Sequence, residues 1–215
     1  MDLTLICSCL DKFIVHSDTW RLYDCSFKPW PACRHAHPAI DTTLAVMNKI
    51  AKPLAIDNIS TVTISTYADA ALFCDRLTPE TELQAKFSIQ HAVAAVICWG
   101  EPKLSHYHVE SFDVLKSIRA KVTVVVQAEI EQKYPKHYGA KCEITLKSGE
   151  TVSVEQTDTL GDPERPLSTE QIKAKASMLM TAAEIEPDNI AAILAMKWAD
   201  DGDLSQLNEL IRLRC

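Results

Sequence analysis

The spacing of apolar and polar residues predicts an alternation of helices and strands. After a first-turn proline at Pro38, the apolar residues Ile40, Leu44 and Met47 recur at intervals of four and three. This is the period of an amphipathic helix, and proline suits its first turn. The next run, ISTVTIST at residues 59–66, is rich in β-branched residues. Such residues favour extended chain, so this run predicts a strand.

The middle of the chain predicts further helices and a hairpin. Apolar positions nearly encircle the helix axis across residues 78–100, which predicts one buried helix ending at a glycine. Residues 112–120 predict a short helix, and residues 121–130 predict a strand. Residues 139–156 alternate on both sides of a Ser-Gly pair, as a β-hairpin does.

The last third of the chain predicts helices. Ser168 and Gln171 have the spacing of a capping box, as do Asp203 and Gln206. The sequence of residues 1–15 predicts a short amphipathic segment. With four strands and interleaved helices, we expect an α+β fold in which helices cover one face of a mainly antiparallel four-stranded sheet.

Composition narrows the classes of function. The net charge is −7 and no basic run is present, which argues against a nucleic-acid partner. The longest strongly apolar stretch, residues 92–99, is far shorter than the about 20 residues that span a bilayer, so no membrane association is expected. The eight cysteines include no CxxC pair, and the N-terminus lacks a basic signal-peptide start. We therefore expect buried thiols and a cytoplasmic location.

One loop concentrates the chemistry-bearing side chains. The stretch SFKPWPACRHAHPAID, residues 26–41, contains Lys28, Arg34, His35 and His37. Cationic groups bind carboxylates, and histidine exchanges protons near neutral pH. The flanking prolines restrict the motion of the loop. From the residues alone, the loop is either a binding site for a di- or tricarboxylate or a polar connector whose histidines cap the next helix.

Other candidate site residues are less strongly indicated by the sequence. His35 and His37 alternate as two metal ligands can, but only Cys33 lies close enough to complete a set, so no metal site is predicted. Tyr67 at a strand end and His91 in the buried helix could reach a pocket, although a core position is the default for both. The chain has no glycine-rich phosphate loop and no nucleophile elbow.

Four landmarks together resemble the MmgE/PrpD family, which includes 2-methylcitrate dehydratase, cis-aconitate decarboxylase and iminodisuccinate epimerase. They are the loop at 26–41 and the stretches at 83–100, 134–150 and 161–175. The resemblance implies a chorismate-mutase-like lid domain and a longer protein with an N-terminal helical domain. On this basis we divide the chain into a junction at 1–24, the lid domain at 25–165 and a C-terminal helical segment at 166–215.

The resemblance also assigns roles residue by residue. Lys28 matches the lid-loop lysine of the decarboxylase, and His35 falls where the dehydratase loop places a histidine. Cys33 stands where the decarboxylase has a histidine, which disfavours decarboxylation. Arg34 and His37 fit a CRHxHP form found in members of unassigned substrate. Tyr67 lies near the position of a pocket tyrosine.

The function implied is therefore a lyase resembling 2-methylcitrate dehydratase that acts on a small polycarboxylate, with Lys28 and His35 as catalytic residues. Arg34, His37, Cys33 and Tyr67 would bind the substrate. No metal or organic cofactor is expected. The partner would be a second copy of the chain or the N-terminal helical domain. An epimerase, a decarboxylase and a truncated, non-catalytic lid module stay open as alternatives.

Overall fold

The computed structural model describes residues 24–50 and 55–196. These residues divide into two units, with the boundary between Pro166 and Leu167. The predicted amphipathic segment at 1–15 and the predicted cap at Asp203 lie outside the described residues. The assignment of residues 25–165 as a lid domain stays a prediction.

The first unit contains four strands and a set of helices joined by short loops. Three short 3₁₀ turns, Arg34–Ala36, Ile56–Asn58 and Leu104–Tyr107, connect them. In chain order the elements are α1 (His37–Lys49), β1 (Ile59–Thr66), α2 (Ala68–Cys74), α3 (Glu82–Lys86), α4 (Ile89–Trp99), α5 (Ser111–Arg119), β2 (Val122–Val126), α6 (Ala128–Glu131), β3 (Ala140–Leu146) and β4 (Thr151–Gln156).

The strands form one sheet in the order β2-β1-β3-β4. β1 pairs with β2 in parallel, whereas β1 with β3 and β3 with β4 pair antiparallel. The predicted α+β class and the four strands are confirmed, but the sheet is mixed, so the prediction of a mainly antiparallel sheet was wrong. The physical reason is the connection between β1 and β2. It runs through α2 to α5, and such a helical crossover returns the chain to the starting end of the sheet.

The core lies between one face of the sheet and the helices. Val62, Ile64, Cys142 and Ile144 alternate along β1 and β3 and are completely buried. α1 packs across this face, and its Thr43 hydroxyl lies 3.5 Å from the Cys142 sulfur. Strand alternation places the intervening residues on the opposite, partly exposed face. This burial removes apolar side chains from water and holds the helices in place.

The long helix predicted over residues 78–100 is interrupted. α3 ends at Lys86 and α4 begins at Ile89, because the hydroxyl of Ser88 caps the new helix by accepting a hydrogen bond from the His91 amide at 2.9 Å. The same hydroxyl donates to the Arg76 carbonyl at 2.5 Å. Serine competes with the helical backbone for hydrogen bonds in this way, so it favours a helix start over a helix interior.

The second unit contains α7 (Thr169–Ala182) and α8 (Pro187–Ala195). The predicted capping box is confirmed, since the Ser168 hydroxyl accepts from the Gln171 amide and the Gln171 side chain accepts from the Ser168 amide. In the part of the chain that the structure describes, no helix is both long and apolar enough to cross a bilayer.

Candidate functional site

The loop before α1 is fastened to the rest of its unit by backbone hydrogen bonds. The amide of Phe27 donates to the carbonyl of Gly161 at 2.8 Å, and the amide of Cys33 donates to the carbonyl of Lys86 at 2.8 Å. The 3₁₀ turn Arg34–Ala36 then leads directly into α1. The loop is thus held at both ends, which fixes the positions from which its side chains project.

The Arg34 side chain is held by an ion pair and by an aromatic ring. Its Nη2 atom donates to Asp162 Oδ1, and the Ser26 hydroxyl donates to the same oxygen at 2.7 Å. The guanidinium carbon lies 4.8 Å from the centroid of the Tyr138 ring, which is a cation–π contact. Within the described residues, the buried Nη1 atom of Arg34 has no hydrogen-bond acceptor.

His35 is surrounded by aromatic rings. Its Nδ1 atom lies 2.9 Å from the Tyr67 hydroxyl, and its ring stacks on Phe73 at a centroid distance of 5.3 Å. Burial lowers the pKa of His35, and the positive charge of Arg34 adds to this, while Asp69 opposes it. The imidazole is therefore biased toward its neutral form near neutral pH.

Three tyrosines, Tyr67, Tyr134 and Tyr138, form the tyrosine cluster around His35. Tyr67 is completely buried and stacks on Tyr134 at 4.3 Å. The Tyr134 hydroxyl donates to Asp69 Oδ2 at 2.8 Å, and this contact raises the pKa of Tyr134 to about 12. Burial raises the pKa of Tyr67 as well. All hydrogen bonds of Tyr67 and Tyr134 therefore involve neutral phenols at physiological pH.

A cleft of about 380 Å³ opens beside Arg34. Its basic side chains are Lys28, Arg34 and Lys86, and the rest of its lining consists of Pro31, Ala32, Cys33, Leu83 and Phe87. A cleft lined by charges of one sign attracts ligands of the opposite sign. This cleft, called the loop cleft below, is thus chemically suited to a small anion.

Cys33 on the wall of the loop cleft has an unusual environment. Interaction with the Cys74 thiol lowers the pKa of Cys33, against the opposing effect of burial. Backbone hydrogen bonds from His35 and Arg34 and the charge of Lys28 lower it further. These interactions make the thiolate of Cys33 easier to form than that of an ordinary cysteine.

The structure brings most of the predicted site residues together. Lys28, Cys33 and Arg34 line the loop cleft, and His35 is hydrogen bonded to Tyr67. Arg34 connects the two groups, because its guanidinium also covers Tyr138 of the tyrosine cluster. The functional roles of these residues stay predictions.

His37 lies apart from this group. It is completely buried at the start of α1, with Nε2 3.3 Å from the Ala32 carbonyl oxygen. Its ring also packs on Trp30 at a centroid distance of 5.3 Å. The structure therefore places His37 in the core beneath the loop, and we leave it out of the proposed set of ligand-contacting residues.

Sequence reasoning missed several residues at the site. Asp162 accepts from the Thr159 amide at 3.2 Å and also pairs with Arg34, and the sequence analysis gave it no role in the site. Tyr134 and Tyr138 lie in the stretch 134–150, which is one of the four landmarks, but the sequence analysis gave them no role. The two tyrosines are four residues apart in the stretch YPKHY, which lies between two strands. This spacing is the signal that could have predicted that both rings lie at the same site.

A second cluster of polar groups surrounds His91. His91 is completely buried, with Nε2 2.8 Å from the His106 carbonyl oxygen and Nδ1 3.3 Å from Arg119 Nη1. Burial lowers the pKa of His91 to about 4. His91 is thus a hydrogen-bonded core residue.

One group of possible metal ligands occurs among the described residues. The ligand atoms of His137, Asp158 and Glu164 lie within 4.8 Å of one another. His137 Nδ1 and Asp158 Oδ1 already form an ion pair at 2.6 Å, and Glu164 is exposed. No residue of the loop at 26–41 belongs to this group.

Comparison with known proteins identifies the family. Among curated proteins, none matches the sequence significantly. The sequence model of the MmgE/PrpD C-terminal domain matches residues 30–200, which is well over half of the 215 residues. The match includes Arg34, His35 and Asp162. The chain therefore belongs to the MmgE/PrpD family, and it contains the C-terminal domain of that family.

Proposed function

We propose that the loop cleft and the tyrosine cluster form one wall of a site for a small di- or tricarboxylate. We further propose that the protein is a cytoplasmic, cofactor-independent lyase resembling 2-methylcitrate dehydratase. Family membership supports the class of protein. The single observation that carries the substrate class is the environment of Arg34.

The guanidinium of Arg34 is incompletely satisfied. Asp162 accepts from one nitrogen and Tyr138 covers one face, but the buried Nη1 atom has no acceptor within the described residues. Leaving a buried donor unpaired costs about 1–3 kcal/mol. Nη1 is shielded from solvent in this structure, so a ligand carboxylate would have to displace part of the surrounding loop to supply the missing acceptor through a charge-assisted hydrogen bond.

The surroundings of Arg34 favour a ligand with more than one carboxylate. Lys28 and Lys86 add two positive charges to the same cleft, and among the residues that the structure describes no carboxylate side chain lines it. Arg34 already pairs with Asp162, so Lys28 and Lys86 are the cations that favour more than one carboxyl group on the ligand. A citrate-like acid fulfils this requirement.

The proposed reaction removes a proton from the carbon next to a carboxylate while a hydroxyl group leaves from the neighbouring carbon. His35 would accept or return the proton, because its lowered pKa keeps the ring neutral at physiological pH. Lys28 and Arg34 would stabilise the negative charge that develops on the carboxylate. General acid–base catalysis of this kind contributes about 10²–10⁴ in rate.

Activity is tested by assaying hydration of an unsaturated tricarboxylate, with the chain alone and with a helical domain of the family added. We expect Lys28→Ala and His35→Ala to lower kcat by about 10²-fold or more in whichever preparation is active. Unchanged rates in both variants would contradict the roles assigned to them. Release of carbon dioxide or inversion of a stereocentre, without dehydration, would instead support the decarboxylase or epimerase alternative.

A second candidate function is a non-catalytic module that binds a carboxylate and a protein partner. The observation that favours it is the exposure of large apolar side chains near the loop cleft. Leu83 is 67% exposed and Phe87 is 38% exposed, and both line the cleft. Exposed apolar groups at one location are typical of interaction surfaces.

The partner proposed for this surface is a second copy of the chain or a helical domain of the family. Size-exclusion chromatography with light scattering distinguishes them. A concentration-dependent dimer that Leu83→Glu dissociates supports the homodimer. A monomer that forms a stable complex with the helical domain supports the second partner, and a monomer that binds neither contradicts the interaction role.

A further inference from the structure

Three side chains that can bind a metal ion converge outside the loop at 26–41. One ligand atom each from His137, Asp158 and Glu164 lies within 4.8 Å of the other two. His137 follows α6 in the chain, and the two carboxylates follow β4. These three residues are called the His137 cluster below. One imidazole nitrogen and two carboxylate oxygens form a ligand set that zinc accepts, with water as the fourth ligand.

The two chain segments that carry the His137 cluster are held side by side independently of its side chains. The Thr159 hydroxyl donates to the Tyr138 carbonyl at 3.3 Å. The backbones also approach closely one residue further on, because a Cβ added to Gly139 would lie 3.0 Å from the Gln156 carbonyl oxygen. The three ligands therefore project from backbone that is already in place, which reduces the cost of ordering them around an ion.

The charges of the His137 cluster favour a cation. With a neutral imidazole, the three side chains carry two negative charges. Among the described residues, neither Asp158 nor Glu164 forms an ion pair with a lysine or an arginine. Arg165 donates to the backbone carbonyl of Asp158 at 2.7 Å, but its charge is paired with the Asp41 carboxylate at 2.6 Å. Two carboxylates this close repel each other, and a divalent cation between them removes the repulsion.

We propose that His137, Asp158 and Glu164 bind a zinc ion that joins the segment after α6 to the segment after β4. Imidazole nitrogen favours zinc over magnesium and calcium, which prefer oxygen ligands alone. The site goes beyond the proposed polycarboxylate site and does not depend on it. Its role is structural, so it leaves open the expectation that the lyase reaction itself needs no cofactor.

Zinc binding requires only small movements of these side chains. Ligand atoms at zinc–nitrogen and zinc–oxygen distances, arranged as a tetrahedron, lie about 3.3–3.6 Å apart. The His137 Nδ1 and Asp158 Oδ1 atoms are 2.6 Å apart, so this pair must open by roughly 1 Å. The hydrogen bond between them breaks, the Nδ1 proton passes to solvent, and the neutral ring keeps its proton on Nε2. Glu164 is exposed, so its side chain can turn toward the ion.

A zinc ion at this position would stiffen the surroundings of Arg34. Tyr138, whose ring the Arg34 guanidinium covers, directly follows His137. Asp162, which pairs with Arg34, lies in the segment that supplies the two carboxylates. The ion would therefore join the two segments that hold Arg34, although none of its ligands lines the loop cleft.

The test titrates the full chain with zinc chloride by isothermal titration calorimetry. We expect Glu164→Gln and His137→Asn each to lower zinc affinity by about tenfold or more. The matched controls Glu150→Gln and His108→Asn replace exposed residues outside the cluster and should bind zinc as the unaltered chain does. All five proteins contain the same eight cysteines, so zinc bound by thiols contributes equally to each titration. Magnesium chloride and calcium chloride should bind more weakly than zinc chloride.

Hydrogen–deuterium exchange locates the bound ion independently. Zinc should slow exchange of the backbone amides at 137–139 and 158–165 in the unaltered chain, and this protection should be absent in Glu164→Gln. Because Glu164 is exposed, Glu164→Gln should unfold at the same urea concentration as the unaltered chain when zinc is absent. A loss of zinc binding in this variant then reports on the ligand and not on folding.

Three results would overturn the proposal. The first is equal zinc affinity in the unaltered chain, Glu164→Gln and His137→Asn. The second is zinc-dependent protection that does not include residues 158–165. The third is calcium binding as tight as zinc binding, which would contradict the role of the imidazole nitrogen. Each of these results is independent of whether the chain binds a polycarboxylate.

Discussion

Replacing Gly161 with alanine should destabilise the unit that carries the candidate site. Gly161 has φ +95, which a side chain disfavours, and an added Cβ would lie 2.0 Å from the backbone oxygen of Phe27. That oxygen belongs to the loop at 26–41, and Gly161 also accepts the hydrogen bond from the Phe27 amide. The close contact between Gly161 and Phe27 therefore helps to hold the loop from which Lys28 and Arg34 project.

The expected magnitude has two parts. Positive φ costs a non-glycine residue about 1–2 kcal/mol. Relieving the clash requires moving the backbone, which typically costs about 1–3 kcal/mol as overpacking does. Together these lower the free energy of unfolding by about 2–5 kcal/mol. Because Asp162 follows directly, the shift should also disturb its ion pair with Arg34.

Gly149 provides a matched control. It has φ +87 in the hairpin turn between β3 and β4, but an added Cβ would meet nothing within 4 Å. Gly149→Ala should therefore carry only the cost of positive φ, about 1–2 kcal/mol. Urea denaturation followed by circular dichroism measures both variants. Equal midpoints for Gly161→Ala and Gly149→Ala would refute the close approach of Gly161 to the loop.

Three further predictions concern stability. Ser88→Ala removes the cap of α4 and should lower the free energy of unfolding by about 1–2 kcal/mol in urea denaturation; no change would contradict the capping role. Ile144→Ala leaves a cavity in the completely buried core and should cost about 2–5 kcal/mol, whereas a cost below that range would indicate an exposed site. The pKa of His91 falls from 6.5 to about 4 on folding, so the unfolded state binds more protons in this window, and stability is lost as the pH drops through it, by about 3 kcal/mol in total. His91→Gln should flatten this dependence between acid and neutral pH, and an unchanged slope would contradict the assignment.

Local sequence patterns predicted the elements that local forces determine. The β-branched run at 59–66 forms β1 with the predicted bounds, and the Ser168 capping box begins α7 as expected. The break at Ser88 was missed because apolar periodicity continues across it. The choice between helix interior and helix start depended on a hydrogen bond to Arg76, which no periodicity encodes.

Long-range pairings explain the rest of the differences. The parallel pairing of β1 with β2 depends on the route of the chain through several helices. The residue pattern within each strand therefore could not predict it. Arg34 and Asp162 are 128 residues apart, and their contact exists only in the folded chain. The sequence nevertheless predicted Lys28, Arg34 and His35 as site residues, because their residue types and the family resemblance both pointed to one short loop, and their roles stay predictions.

The most direct test of the account measures carboxylate binding by isothermal titration calorimetry. We predict saturable binding of a tricarboxylate, weaker binding of a monocarboxylate, and a loss of about tenfold or more in affinity for Arg34→Gln. Arg34→Lys should also bind more weakly, since an ammonium lacks the planar geometry of a guanidinium. The charge-matched control Lys141→Gln, on β3 outside the cleft, should bind as the unaltered chain does. Equal tricarboxylate affinities for Arg34→Gln and Lys141→Gln would contradict the proposal that Arg34 receives the substrate.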